Sequence, residues 1–166
     1  DVGRAYAKHN EPMEWFTPTG LMVRQAYPEL ELRRIKTHID GSIIKLAYQH
    51  QKDGTISKSK TASGASPNFI HSLDAAALTL TVNKCHDQGI TDFAMVHDSY
   101  GTHSPNMPKL GEVLRESFVD MYDKHDVMQE LYDHAASKIG TEDLPPVPIK
   151  RNLDLKSILK SDYFFS

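Results

Sequence analysis

The segment Phe93-Ala-Met-Val-His-Asp-Ser-Tyr-Gly-Thr-His103 sets a histidine and a carboxylate side by side where a short apolar run gives way to turn formers. An aspartate at the end of a rigid strand is what metal-dependent phosphoryl transfer needs, because a divalent ion must be held at a fixed point. Read with a strand period of two, Phe93, Met95 and His97 fall on one face and Ala94, Val96 and Asp98 on the other. The expectation is a carboxylate presented beyond small apolar residues, with the histidine pointing the opposite way. Taken alone, His-Asp-Ser-Tyr-Gly also reads as an ordinary solvated turn.

The elements that must carry this segment can be read from periodicity and punctuation. Asp1 to Asn10 has the look of a helix tail, Thr17-Pro18-Thr19-Gly20 is a turn, and Leu21 to Tyr27 and Leu30 to Ile39 are extended. Asp40-Gly41 between two alternating runs predicts a hairpin closing onto Ile43 to His50, and Lys52-Asp53-Gly54-Thr55 predicts a second turn. Ser57 to Ser66, polar and small, reads as a mobile connection. Ser66 followed by Pro67 predicts a helix start, with the helix running to Asp87 before Gly89 and carrying Ile70, Leu73, Ala77, Leu80 and Cys85 inward. Pro108 to Lys124 and Val127 to Ile139 are amphipathic helices, Pro145, Pro146 and Pro148 mark a linker, and Leu153 to Leu159 is a last short helix.

At 166 residues the chain suffices for one domain or part of a larger one, and no apolar run is long enough to span a membrane. The lone Cys85 excludes an internal disulfide and a multi-cysteine zinc site. The net charge of −3 conceals an uneven distribution. Arg33, Arg34, Lys36, Lys45, Lys52, Lys58 and Lys60 lie against only Asp40 and Asp53, whereas Glu112 to Asp143 is acidic. One face could meet phosphates while another faces water.

Three motifs occur in fixed order: Ser66-Pro-Asn-Phe-Ile-His-Ser-Leu-Asp74, Val96-His-Asp-Ser-Tyr-Gly101 and the terminal Ser161-Asp-Tyr-Phe-Phe-Ser166, with Trp15-Phe-Thr-Pro-Thr-Gly20 upstream. Together they resemble the C-terminal part of the single-subunit, bacteriophage-type DNA-directed RNA polymerases, across nearly the whole chain. The resemblance implies an α/β (α+β, helix-rich) fold, the palm and adjoining fingers of a right-hand polymerase, with helices around a small antiparallel sheet and a protruding hairpin. It implies residues 1–166 as a C-terminal fragment of the catalytic domain, with a promoter-recognition-like hairpin at 28–58 and a C-terminal foot at 151–166.

The same resemblance assigns roles residue by residue. Asp98 matches the second metal-binding aspartate of a site that holds two Mg2+ ions in the complete enzyme, and His97 the histidine beside the primer end. His71, with Asn68, Ser72 and Ala75 at helical spacing along the same side, matches the histidine at the minor groove of the RNA:DNA hybrid; Asp74 reads as structural. In the hairpin, Arg34, Lys36 and His38 share one face by alternation and Arg33 the other; with Lys45 these basic groups suit phosphate and guanine contacts. Phe164, Phe165 and Ser166 match a foot that folds back toward the active site, although the family ends Asp-Phe-Ala-Phe-Ala, so Tyr163 and Ser166 depart from it. The first metal aspartate and the nucleotide-binding fingers helix belong upstream of Asp1, so the fragment alone is expected to be inactive.

The partners implied are the DNA template and promoter, the RNA product, ribonucleoside triphosphates and the missing upstream part of the polymerase, with no membrane. Gly101, where mitochondrial members usually carry tryptophan, points to a phage protein in the cytoplasm of the infected host. Two other classes stay open. His86-Asp87, His97-Asp98 and His125-Asp126 prompt a His-Asp metal phosphohydrolase, and the basic segment prompts a non-catalytic or separately encoded nucleic-acid-binding module.

Overall fold

A long helix forms the spine of this protein. The computed structural model describes residues 1–164. In chain order it contains α1 (Val2–His9), β1 (Met13–Phe16), β2 (Met22–Gln25), β3 (Pro28–Ile39), β4 (Ser42–Ile56), α2 (Lys58–Asp87), β5 (Ala94–Val96), β6 (Ser99–Gly101), α3 (Met107–Lys124) and α4 (Val127–Ile139), then a 3-10 turn over Leu155–Lys160. The fold is the mixed helix and strand expected, with β3-β4 as the protruding hairpin; the small antiparallel sheet is divided into two separate two-stranded pairs, β1-β2 and β5-β6.

The start of α2 departs from the sequence reading. Ser57, not Ser66, occupies the cap position, and Pro67 lies inside the helix. The small polar run is helical because it packs: Thr61 and Ala65 are buried, and a Cβ added at Gly3 of α1 would stand 2.5 Å from the Ala65 Cβ. Glycine at that crossing lets the two helices touch, and tertiary contact overrides weak local propensity. Pro67 costs the Ser63 carbonyl its helical donor, but both residues are exposed, so water can take the carbonyl.

Along its 30 residues α2 buries different faces against different partners. Ala65, Phe69 and Leu73 join Tyr6, Met13, Trp15, Leu131 and Ala135 in one cluster. Ala76 and Ala77 meet Met121 of α3 in a second, and Cys85 meets Ile90, Leu110 and Val113 in a third. Ile70, expected inside, is exposed, and Phe69 takes its place edge-on to Trp15 with ring centroids 5.9 Å apart. Burial pushes the Cys85 thiol upward, which keeps it protonated.

Candidate active site and nucleic-acid interface

The Val96–Gly101 motif folds as a minimal hairpin. Val96 pairs with Ser99, so His97-Asp98 is its two-residue turn, and His97 adopts the left-handed conformation at φ 52°. The alternation expected through Ser99 therefore stops at Val96. His97 and Asp98 do not point to opposite sides: both line one cleft of about 530 Å³, facing His71, Asp74, Ala75, Leu78 and Thr79 of α2. Both are exposed. Across the hairpin Gly101 pairs with Ala94, and a Cβ there would come 3.0 Å from the Ala94 carbonyl oxygen.

The α2 wall is set from behind. The Trp15 indole Nε1 donates to Ser72 Oγ at 2.9 Å, and Ser72 donates to the Phe69 carbonyl at 2.7 Å. This fixes the rotation of α2 one residue from His71. Two tyrosines flank the cleft. Burial first, then the nearby charges of Asp74 and Asp98, raises the Tyr100 phenol; burial and then Asp74 does the same to Tyr122. Asp74 thus contributes charge to the cleft, beyond the structural part read from sequence. Asp74, Ala75, Leu78 and Thr79 stand three, four, seven and eight residues after His71, so helical spacing alone could have found the whole wall.

Asn68 is differently engaged. Its Nδ2 donates to Gln25 Oε1 at 2.8 Å and to the Tyr27 hydroxyl at 3.0 Å, and Gln25 Nε2 donates to the Thr61 carbonyl at 2.8 Å. The side chain is directed at the β2 edge, and Ser72 at Trp15, so neither shares the cleft face with His71.

The β3-β4 ribbon is amphipathic. Register sets Arg34 opposite Ala47, Lys36 opposite Lys45 and His38 opposite Ile43 on one face. On the other, Arg33 opposes Tyr48, Ile35 opposes Leu46 and Thr37 opposes Ile44. Arg33 is tied to Glu31 by an Nε–Oε1 bond of 2.7 Å, while Arg34, Lys36 and Lys45 are exposed. The expected second turn at residues 52–55 is instead an irregularity within β4: Pro28 pairs with Ile56 and Leu30 with Gln51, so Glu29 alone faces four residues.

At the other end, Arg115 donates through Nε and Nη2 to the Ser161 carbonyl at 3.1 and 3.0 Å, and Phe164 packs edge-on against Phe118 at 5.1 Å. Phe118 in turn touches Tyr122 at 4.8 Å, which continues the aromatic line toward Asp74. Phe165 and Ser166, expected in the foot, lie outside the described residues. Among the described residues no three histidine, cysteine or carboxylate side chains gather as a metal cluster, and the three His-Asp pairs do not converge. No described helix is long and apolar enough to cross a membrane.

Comparison with known proteins identifies the family. The family model for DNA-dependent RNA polymerase matches residues 3–144. Among curated relatives, DNA-directed RNA polymerase 2, chloroplastic/mitochondrial, of Arabidopsis thaliana is 36% identical over the whole chain, which covers 16% of that protein. DNA-directed RNA polymerase 1, mitochondrial, of Nicotiana sylvestris is 35% identical, again with 16% covered. DNA-directed RNA polymerase 1A of Nicotiana tabacum is 36% identical over 96% of this chain and 99% of its own length. The chain thus spans about a sixth of the length of the first two relatives, whose names are organellar where Gly101 had suggested a phage. On the match of most of its length, with the His-Asp turn and the α2 cleft inside it, the chain belongs to the single-subunit, phage-type family of DNA-dependent RNA polymerases.

Proposed function

We propose that this chain is the C-terminal palm portion of a DNA-directed RNA polymerase, working in template-directed ribonucleotidyl transfer once joined to the upstream part of the enzyme. The observation that carries the reading is the cleft itself, across which His97 and Asp98 at the tip of a hairpin face His71 and Asp74 of α2. Asp98 is an exposed carboxylate with oxygen donors open to the cleft, which fits magnesium's preference for oxygen and for few protein ligands. In this reading Asp98 holds one side of a two-Mg2+ site, whose ions supply charge stabilisation for the attacking hydroxyl and leaving pyrophosphate. The first aspartate and the nucleotide-binding helix come from the upstream part.

His71, exposed on the opposing wall, meets the minor groove of the RNA:DNA hybrid, and His97 lies beside the primer end. Leu78 and Thr79 extend the same wall by two helical turns. Arg34, Lys36 and Lys45 on the polar face of the ribbon meet the promoter duplex, since a two-stranded ribbon fits the major groove. Arg33 is held on the other face by Glu31 and contributes less. Asn68 supports the interface from behind. The placement in an infected host's cytoplasm rests on Gly101 alone; the organellar relatives support a mitochondrial or plastid setting.

The test is to supply the upstream part of the polymerase in trans and measure RNA synthesis on a tailed DNA template. Synthesis that returns with this chain and disappears with Asp98→Asn is the expected result. Binding of the template without synthesis would make the chain a nucleic-acid-binding module. Phosphate-ester hydrolysis by the chain alone would move it to the His-Asp phosphohydrolases.

A further inference from the structure

The β3-β4 ribbon is a lever attached at one end. Its strands pack on each other and on no other element to a comparable extent among the described residues. The 12 residues of β3 extend about 36–40 Å at the usual rise per residue, so a tilt of about 10° at the base moves the tip by about 6–7 Å. That is about two base-pair steps of duplex DNA. Whatever fixes the base therefore fixes which bases the tip can meet.

The base is also where the ladder fails. Four residues of β4, from Lys52 to Thr55, face Glu29 alone, and Gly54 takes φ +65°. The irregularity strips backbone groups of their strand partners, and such groups need others. Asn10 supplies them. Its Nδ2 donates to the Gly54 carbonyl at 2.7 Å, and its Oδ1 accepts from the Ile56 amide at 3.0 Å. One side-chain amide thus imitates a strand residue, bonding to Gly54 inside the irregularity and to Ile56 at its edge. Asn10 is itself held firmly, because it is the left-handed C-cap of α1 at φ 58°, a position that suits asparagine, and α1 is locked onto α2 at Gly3.

A second tie starts from α2. The Ser57 amide donates to the Tyr27 carbonyl at 2.7 Å, and Asn68 donates to the Tyr27 hydroxyl at 3.0 Å. A Cβ on Gly64 would stand 3.0 Å from the Tyr27 ring, so the residue that leads into the ribbon lies directly against the helix that carries His71.

We propose that Asn10 is a positioning residue for the ribbon, setting its angle to α2, with Tyr27 and Asn68 as a second brace, and so governs promoter choice without taking part in nucleotide addition. The proposal rests on the polymerase reading above. It is tested in the complete polymerase with Asn10→Gly, because glycine keeps the left-handed cap and removes only the bridging amide. Two substrates separate the roles: the promoter duplex that the wild-type enzyme selects from a randomised library, and a poly(dC) template primed with oligo(rG), which needs no promoter.

Asn10→Gly should lower promoter-dependent initiation by at least about ten-fold, in the range that misplacement by ångströms costs, and leave primed extension within about two-fold. Tyr27→Phe, which removes the hydroxyl alone, should move the same ratio in the same direction by less. An unchanged ratio in both variants overturns the proposal. So does an equal fall on both substrates, which would mark Asn10 as merely structural. Failure of the underlying reading is a separate result: it would appear as undiminished primed extension by Asp98→Asn.

Discussion

Trp15 and Ser72 are joined by one hydrogen bond, 2.9 Å from the indole Nε1 to the hydroxyl oxygen, and through it the first strand sets the rotation of the helix that carries His71. Trp15 is 1% exposed and stacks edge-on against Phe69. Trp15→Ala should therefore cost about 3–5 kcal/mol, enough to prevent folding of a marginal domain. Trp15→Phe keeps most of the burial and loses the donor, while Ser72 retains the Phe69 carbonyl as its own acceptor. We expect a loss of about 1–2 kcal/mol for Trp15→Phe, read as the shift in urea midpoint at constant slope. Equal midpoints for Trp15→Phe and wild type would mean that the indole donor contributes nothing.

Asp98→Asn tests the proposed chemistry directly. The side chain keeps its size, the turn is closed by the Val96–Ser99 backbone pairing, and the residue is exposed, so the fold should be unaffected. In the complete polymerase, single-turnover extension should fall by at least about a hundred-fold, since charge stabilisation through a metal is worth several kcal/mol in the transition state. Near-normal extension by the purified variant would remove Asp98 from the site.

Glu14 gives a pH test of the β1-α4 contact. Burial opposes its charge, but Lys138 at 3.2 Å and Arg24 at 2.9 Å together outweigh burial and lower its pKa below the ordinary 4.5. A lowered folded-state pKa means that the contribution is complete above the unfolded value and is lost as pH falls through the folded one. Glu14→Gln should thus lower the thermal midpoint at pH 7, and the difference should shrink steadily as pH falls below the ordinary carboxylate range. A midpoint difference that does not shrink at all on acidification would assign the effect to packing instead of charge.

The parts of this molecule that sequence made legible are those governed by local rules. The two amphipathic helices, α3 and α4, fall within a residue of their expected bounds because each carries an apolar stripe at helical spacing that the sequence itself displays. The Asp40-Gly41 turn and the face assignment of Arg34 and Lys36 likewise follow from strand alternation. The start of α2 did not, because its small polar turns are helical only through the Gly3 crossing, which lies 55 residues or more upstream of them. The cleft geometry was hidden for a different reason. Periodicity of two carries no information about where a strand turns, and a two-residue turn at His97-Asp98 inverts the expected relation between the two side chains.

Lys36 and Lys45 stand directly across the ribbon from each other, an arrangement that weakens a sheet unless an anion lies between them. Lys45→Glu should accordingly strengthen the ribbon, seen as slower amide hydrogen exchange over residues 34–47. The same change should weaken binding to duplex DNA and reduce the slope of log affinity against log salt by about one or more. Weaker exchange protection would show that the facing lysines do not strain the ribbon, and an unchanged salt slope that this face does not meet phosphate.

The C-terminal segment is held by Arg115 on the Ser161 carbonyl and by Phe164 against Phe118, and the line of rings runs on through Tyr122, whose phenol is affected by Asp74 of the cleft. The tail is therefore connected to the proposed active site by packing, at modest energetic cost, since burying one aromatic contributes only about 1.5–3 kcal/mol. In the complete polymerase, removing residues 164–166 should slow extension far more than so small a stability change explains, because the ring contact orients a wall of the cleft. Phe164→Ala should reproduce most of the effect, while Tyr163→Ala, at an 87% exposed position, should have little. Extension rate and thermal midpoint measured together separate the outcomes: wild-type extension in the truncated enzyme would leave the tail without a catalytic role, and a fall in rate fully matched by lost stability would reduce it to a structural strap.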